Sequence, residues 1–193
     1  METTPALTLV KDEKIDLTKT NPGLKLPAAG LGWDTSKGTG SYDLDAFAIP
    51  LKGGKLLTGE VLKGVAYFNH KKFAGCECGA DNLTGEGDGD DETININLAE
   101  VAASGADEVL ICVNIYEAKR KNQHFGQVQN AFVRIYDTET KKEITRFDLS
   151  EDYSAYNGMI MGKLYLRENE WKFQALGQGV NGDITEIASA YKQ

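Results

Sequence analysis

The segment Asp81-Asn-Leu-Thr-Gly-Glu-Gly-Asp-Gly-Asp-Asp-Glu92 places six carboxylates in twelve residues, with no basic side chain among them. Chain spacing of about 3.5 Å per residue or less keeps these charges inside the ~8 Å Debye length of physiological salt. They repel one another unless a cation compensates them. Gly85, Gly87 and Gly89 alternate with the acids and let the backbone turn sharply and expose carbonyl oxygens. Carboxylates with carbonyls are the ligand set of a hard ion, and many anionic oxygens in a flexible loop favour Ca2+ over Mg2+, which keeps its waters. The spacing is not that of an EF-hand: counting from Asp81, Leu83 falls at position 3, Gly85 at 5, and Glu86 where the invariant glycine belongs. A phosphate-cradling loop fails on sign. The alternative without a ligand is a solvated acidic loop.

A second acidic group stands upstream. Asp34 follows Gly-Leu-Gly-Trp, and Asp43-Leu-Asp45 opens a strand-like run. Period two puts Asp43 and Asp45 on one face, a like-charge pair that invites a bridging cation. Turn-capping aspartates are the competing explanation. Two acidic clusters at loop–strand junctions suit Ca2+ held among the end loops of a β-sandwich.

Other reactive residues weigh less. Cys76-Glu-Cys78 with His70 upstream offers zinc three ligands at a spacing tighter than usual; the plainer reading is an exposed thiol pair. Cys112 sits mid-strand and is expected to pack as a small apolar residue. His124 lies in the amide-rich stretch Asn122–Asn130, where no serine, cysteine or aspartate stands in triad context. A glycosidase pair of separated carboxylates fits a dense repelling cluster poorly. Trp33 and Trp171 are expected in the core.

Strands must position these residues. Leu7 and Leu9, then Ile15 and Leu17, flank a polar turn and predict a hairpin. Alternation continues through Leu24, Leu26, Ala28, Leu31 and Trp33, with a bulge or bend at Ala29-Gly30. Tyr42–Leu51, Val65–Phe68, Ile94–Leu98, Val109–Tyr116 and Ala131–Tyr136 read as strands. Ile144–Leu149 is expected to pair back on the last of these, and Met159–Leu166 to pair with Trp171–Leu176 around Glu168-Asn169. Asp183 with Glu186 forms a capping box for a short C-terminal helix whose Ile184, Ile187, Ala188 and Tyr191 share a face. The fold class is therefore mainly β: a two-sheet β-sandwich of about ten strands with a short C-terminal helix. Two long connections, Asp34–Ser41 and His70–Asp91, carry the acidic clusters.

The 193 residues, 41% of them apolar, suffice for one domain over 1–193 with its own core. With 29 acidic against 21 basic residues the net charge is −8, which disfavours nucleic acid. No apolar run approaches the ~20 residues of a membrane helix, and Met1–Thr8 lacks the features of a signal peptide. Three cysteines, an odd number, point to a reducing, cytoplasmic location.

Gly30-Leu-Gly-Trp-Asp34, Asp43-Leu-Asp-Ala46 and the acidic glycine loop resemble the TerD-type tellurium-resistance and general stress protein family. Phe125-Gly-Gln-Val, Asn130-Ala-Phe-Val-Arg134, Phe147-Asp-Leu-Ser-Glu-Asp152 and Trp171-Lys-Phe extend the likeness from about Leu7 to Tyr191. The resemblance implies a cytoplasmic Ca2+-binding β-sandwich linked to tellurite, phage and colicin resistance, with no assigned catalysis. It implies metal ligands among Asp34, Asp43, Asp45, Asp81, Glu86, Asp88, Asp90 and Glu92, with Asn82 and Thr84 contributing through side chain or carbonyl. Asp91 points opposite to its neighbours. The chain differs ahead of the loop: Cys76-Glu-Cys78-Gly-Ala-Asp81-Asn stands where the family often has a His and Gly-Asp-Asn. The expected function is thus a non-enzymatic calcium-binding stress-response protein whose ion orders the acidic end loops into a surface for protein partners, including a membrane-associated resistance complex. Alternatives are a thiol-dependent enzyme acting on tellurite or another oxidant, which Glu77 disfavours by raising the thiol pKa, and a Ca2+-dependent membrane or glycan binder.

Overall fold

Alternating apolar side chains produce thirteen strands among the described residues, which are 6–35, 42–79, 89–149 and 151–192 of a computed structural model. One sheet runs β1 (Leu7–Leu9), β11 (Glu143–Asp148), β10 (Val128–Asp137), β3 (Pro27–Thr35), β8 (Glu92–Ile96), β7 (Cys76–Cys78), β6 (Lys72–Phe73). The second runs β2 (Lys14–Asp16), β13 (Glu170–Val180), β12 (Gly158–Arg167), β9 (Glu108–Ile115), β4 (Leu44–Lys52), β5 (Lys55–Leu56). Every pairing is antiparallel except β1 with β11. The excess over the ten expected strands lies in pieces too short for a period to register, β5, β6 and β7.

Between the sheets, Ala29, Leu31 and Trp33 of β3 and Ile94 and Ile96 of β8 share one cluster with Ala46, Ala48, Val109, Ile111 and Val113. A second cluster lies on the far side of the second sheet. There Phe47, Ile49, Leu110, Cys112 and Ile160 are covered by Ile184, Ile187 and Ala188. Strands β4 and β9 are therefore buried on both faces, which is why Val109–Val113 reads as an unbroken apolar run. Each such Ile or Phe contributes about 1.5–3 kcal/mol on burial. The covering helix α3 (Ile184–Ser189) starts as its sequence requires: Asp183 Oδ1 accepts from Glu186 N at 2.9 Å and Glu186 Oε2 from Asp183 N at 2.9 Å. Two further short helices, α1 (Leu98–Ala103) and α2 (Ala118–Lys121), were not signalled by any long apolar period. Both tryptophans and Cys112 are in the core, as expected.

Three local readings change. The expected hairpin of β1 with β2 does not form: β1 joins β11 and β2 joins β13, in different sheets. A tight turn, closed by Glu13 N donating to Val10 O at 3.1 Å, carries the chain across, and each strand caps an edge that otherwise stays unpaired. The bulge expected at Ala29-Gly30 lies one strand over, on β10 between Gln129 and Phe132, where Asn130 has φ +52°. Val65–Phe68 makes only isolated bridges, Ala48 with Ala66 and Tyr67 with His70, after a 3-10 turn at Val61–Gly64. The expected hairpins of β10 with β11 and β12 with β13 form, the latter turning through Glu168 and Asn169 at φ +55° and +62°. Among the described residues no helix is long and apolar enough to cross a membrane.

Candidate metal centre

Topology brings the strand ends that flank the acidic segments to one end of the sandwich. Residues 36–41 join β3 to β4 and residues 80–88 join the β6–β7 hairpin to β8. Because β3 and β8 are antiparallel, with Leu31 opposite Glu92, the end of one strand and the start of the other coincide. Antiparallel β4 and β9 bring Asp45 opposite Asn114 at the same end. The two sheets meet there directly: Glu92 Oε2 accepts from Ala46 N at 2.6 Å, and Cys78 Sγ donates to Ala46 O at 3.8 Å.

The described acids divide by environment. Asp34 is exposed and its Oδ2 accepts from Asn130 Nδ2 at 2.6 Å. Asp43 is half-buried, and its carbonyl accepts from Tyr116 N at 2.7 Å. Asp45 alternates with the inward Leu44 and Ala46, so it lies in phase with Phe47 on the outer face of the second sheet. It is 5% exposed, and its cross-strand neighbour Asn114 is 4% exposed. Glu92, 7% exposed, lies in phase with Ile94 and Ile96 between the sheets. Asp81, Asn82, Thr84, Glu86 and Asp88 lie outside the described residues. Among the described residues no three His, Cys, Asp or Glu side chains converge closely enough to hold a metal by themselves.

The donor chemistry nonetheless suits a hard cation. Asn114 Oδ1 is buried without a hydrogen-bond partner among the described residues. An acceptor oxygen left in that state costs about 1–3 kcal/mol. Its strand neighbour at about 4.5–5.5 Å between Cβ atoms is the buried carboxylate of Asp45, another acceptor. A carboxylate beside an amide carbonyl oxygen is the kind of oxygen ligand set that Ca2+ takes. Asn114 was not among the residues singled out in the sequence; only its register opposite Asp45 marks it.

Asp90 and Asp91 face protein donors. Asp91 Oδ2 accepts from Trp33 N at 2.9 Å. Asp90 forms a forked ion pair with Arg134, Nε to Oδ1 at 2.7 Å and Nη2 to Oδ2 at 2.9 Å. The guanidinium also reaches Glu143 Oε2 at 3.1 Å and lies 4.8 Å from the Tyr136 ring. These anions, the Asp90 hydrogen bonds foremost, hold Arg134 firmly protonated.

The thiols are not an exposed pair. Cys76 and Cys78 both point inward from β7, as period two demands, and are buried, while Glu77 between them faces out toward Lys72 at 3.0 Å. Burial, then the charge of Glu92, pushes Cys78 up to about 12; burial raises Cys76 and Cys112 as well. Thiolate is the reactive form, so iodoacetamide at pH 8 is expected to leave all three cysteines intact in the folded protein and to alkylate all three in guanidinium, as read by mass spectrometry. Rapid labelling of the native protein would contradict this burial. His70 does not join them: its Nδ1 is engaged with Val65 O at 2.9 Å. The amide-rich stretch serves a turn, Gln127 Oε1 accepting from His124 N at 3.0 Å.

Residues 6–191 match the TerD domain family. The chain belongs to the TerD family. It is 40% identical over 191 residues to General stress protein 16U of Bacillus subtilis (strain 168), covering 96% of each chain. It is 35% identical over 189 residues to the Tellurium resistance protein TerD of Serratia marcescens, covering 96% of this chain and 97% of that one. A crystal structure of a homologue of telluride resistance protein (TerD) from Streptomyces coelicolor A3(2) superposes with a TM-score of 0.65 at 20% identity, over 86% of this chain and 98% of that chain. The TerD fold is thus the two-sheet sandwich described above, and membership places the chain among tellurium-resistance and general stress proteins.

Proposed function

We propose that this TerD protein is a calcium-binding stress protein without a catalytic reaction of its own, acting in the cytoplasm. The ion orders the acidic end of the sandwich into a surface for protein partners, among them a membrane-associated resistance complex. The observation that carries this reading is the buried Asn114 amide oxygen, without a hydrogen-bond partner among the described residues, opposite the buried Asp45 carboxylate. Asp34, Asp43 and Glu92, with Asp81, Asn82, Thr84, Glu86 and Asp88, which lie outside the described residues, are the other proposed ligands. A part in tellurium and stress resistance is supported by the relatives' names, and buried thiols argue against direct thiol chemistry on an oxidant.

Calorimetric titration of EGTA-stripped protein tests the reading. Calcium is expected to bind with measurable heat and magnesium far more weakly. Asp45→Asn is expected to weaken calcium at least about tenfold by removing an anionic ligand. Asn114→Leu, which keeps the side-chain volume, should lose affinity while leaving the calcium-free fold no less stable, since it removes an unsatisfied acceptor. Absence of calcium heat in the wild type would overturn the proposal.

A further inference from the structure

We infer that the end of the sandwich away from Asp45 and Asn114 holds a binding cleft for an anionic amphiphile, a carboxylate on a medium-length alkyl chain, with Lys25 meeting the head group. The site lies apart from the calcium reading and does not depend on it.

The cleft sits at the mouth between the two sheets. Leu31 opposite Glu92 and Asp45 opposite Asn114 mark one end of the strands. At the other end β3 begins at Pro27, β8 stops at Ile96, and β12 turns back into β13 with Leu166 opposite Trp171. A concavity of about 610 Å³ lies among these strand ends, a size typical of small-molecule sites. Leu24, Leu98 and Trp171, only 5–6% exposed, line it together with Leu26 and Leu166. The first three also belong to the cluster between the sheets, so the floor of the cleft is the open end of the core. Helix α1 adds a wall through Ala99 and Ala102, two exposed residues whose small side chains leave the space open.

Every wall is tied to the framework. Leu17 N donates to Trp171 O at 2.9 Å, Thr138 N to Leu26 O at 3.1 Å, Leu98 N to Lys25 O at 3.2 Å and Leu166 N to Asp107 O at 2.8 Å. Asn97 Oδ1 caps α1 by accepting from Glu100 N at 3.2 Å. A cleft formed in advance loses little affinity to the ordering of its own residues.

The charge of the lining selects the head group. Among the described residues Lys25 is the one charged side chain that lines the cleft, and none of their ion pairs involves it. The acids on the framing elements have donors of their own: Glu100 Oε1 accepts from Asn97 Nδ2 at 2.8 Å, and Glu170 accepts from the Thr18 hydroxyl. An alkyl chain gains by leaving water for leucine and indole surface. A carboxylate gains a charge-assisted hydrogen bond from the ammonium, and a single ammonium matches a singly charged head.

Calorimetric titration in EGTA tests the site with two probes of equal chain length, decanoate and decyltrimethylammonium, each kept below its micelle concentration. The wild type is expected to bind decanoate at a single site, and the cationic probe at least about tenfold more weakly, the difference one charged hydrogen bond makes. Ala102→Phe fills the cleft from an exposed helix position and should lose most of the decanoate binding. Ala99→Phe fills it from a second position, and circular dichroism checks that each variant is folded. Lys25→Glu should remove the preference for decanoate, whereas Lys121→Glu, the same charge change on α2, should leave it intact. Absence of decanoate heat in the wild type, or full affinity in the folded filling variants, would overturn the cleft. Equal affinity for the two probes, or a Lys25→Glu protein that still prefers decanoate, would overturn the anionic class.

Discussion

Calcium is expected to raise the melting temperature of the EGTA-treated protein by about 8–16 °C. The figure follows from about 4.1 kcal/mol of stabilisation at a thousandfold excess over Kd and about 2–4 °C per kcal/mol in a chain of this size. The physical source lies in the folded state. Asp45 is nearly buried opposite Asn114, whose amide oxygen has no donor among the described residues, so folding brings together oxygens that the unfolded chain keeps apart and hydrated. An ion that binds the gathered set stabilises only the fold. Weak binding of calcium to the acidic run in the unfolded chain subtracts from the gain. Magnesium at the same concentration should give a smaller shift, because it surrenders its waters reluctantly. Superimposable melts in EGTA and calcium would remove the metal from the account of this end of the sandwich.

Gly30→Val is expected to cost about 2–4 kcal/mol, combining overpacking with the disruption of a shielded ion pair. That corresponds to a melting temperature lower by about 4–16 °C. The new side chain would occupy the space of the Asp90 carboxylate and drive it off Arg134, leaving the guanidinium with Glu143 and the Tyr136 ring. Because Arg134 keeps 29% exposure, solvent screens part of this loss, which holds the estimate below that for a fully buried pair. Gly23→Val is the matched control. Nothing lies within 4 Å of a Cβ there, so its effect should fall within about 0.5 kcal/mol. Differential scanning calorimetry of the two variants decides the matter: equal melting temperatures would show that the carboxylate moves aside freely.

Local chemistry was the legible part of this fold. The Asp183–Glu186 capping box and the turn at Glu168-Asn169 depend on neighbours within a few positions, and both form as read. Alternation through Ile144–Leu149 and Met159–Leu166 likewise settled two hairpins. Errors arose where a residue answers to something distant. Glycine inside a strand can mark a bulge or a close approach; at Gly30 it is the approach of Asp90, sixty positions away. Leu7, Leu9, Ile15 and Leu17 look like a hairpin because alternation cannot reveal that β11 and β13 offer open edges. The cysteines' spacing showed that they share a face, but which face became clear only when β8 lay alongside β7. At the candidate site, the acids declared themselves by type and density. Their division into Asp45 beside Asn114, Glu92 between the sheets and Asp90 on Arg134 required strand register.

The crossing of the N-terminal segment from one sheet to the other bears on how the chain reaches this state. Leu7–Leu9 waits for partners at Thr145–Phe147, and Lys14–Asp16 for partners at Lys172–Gln174. Contacts of such sequence separation dominate the rate in slow-folding β proteins, since loop closure must precede them. Until they form, β11 and β13 each present a bare row of amide and carbonyl groups, the template on which a neighbouring chain can add. Ten early residues thus act as a seal on both sheets. Without these contacts both rows stay open to a second chain.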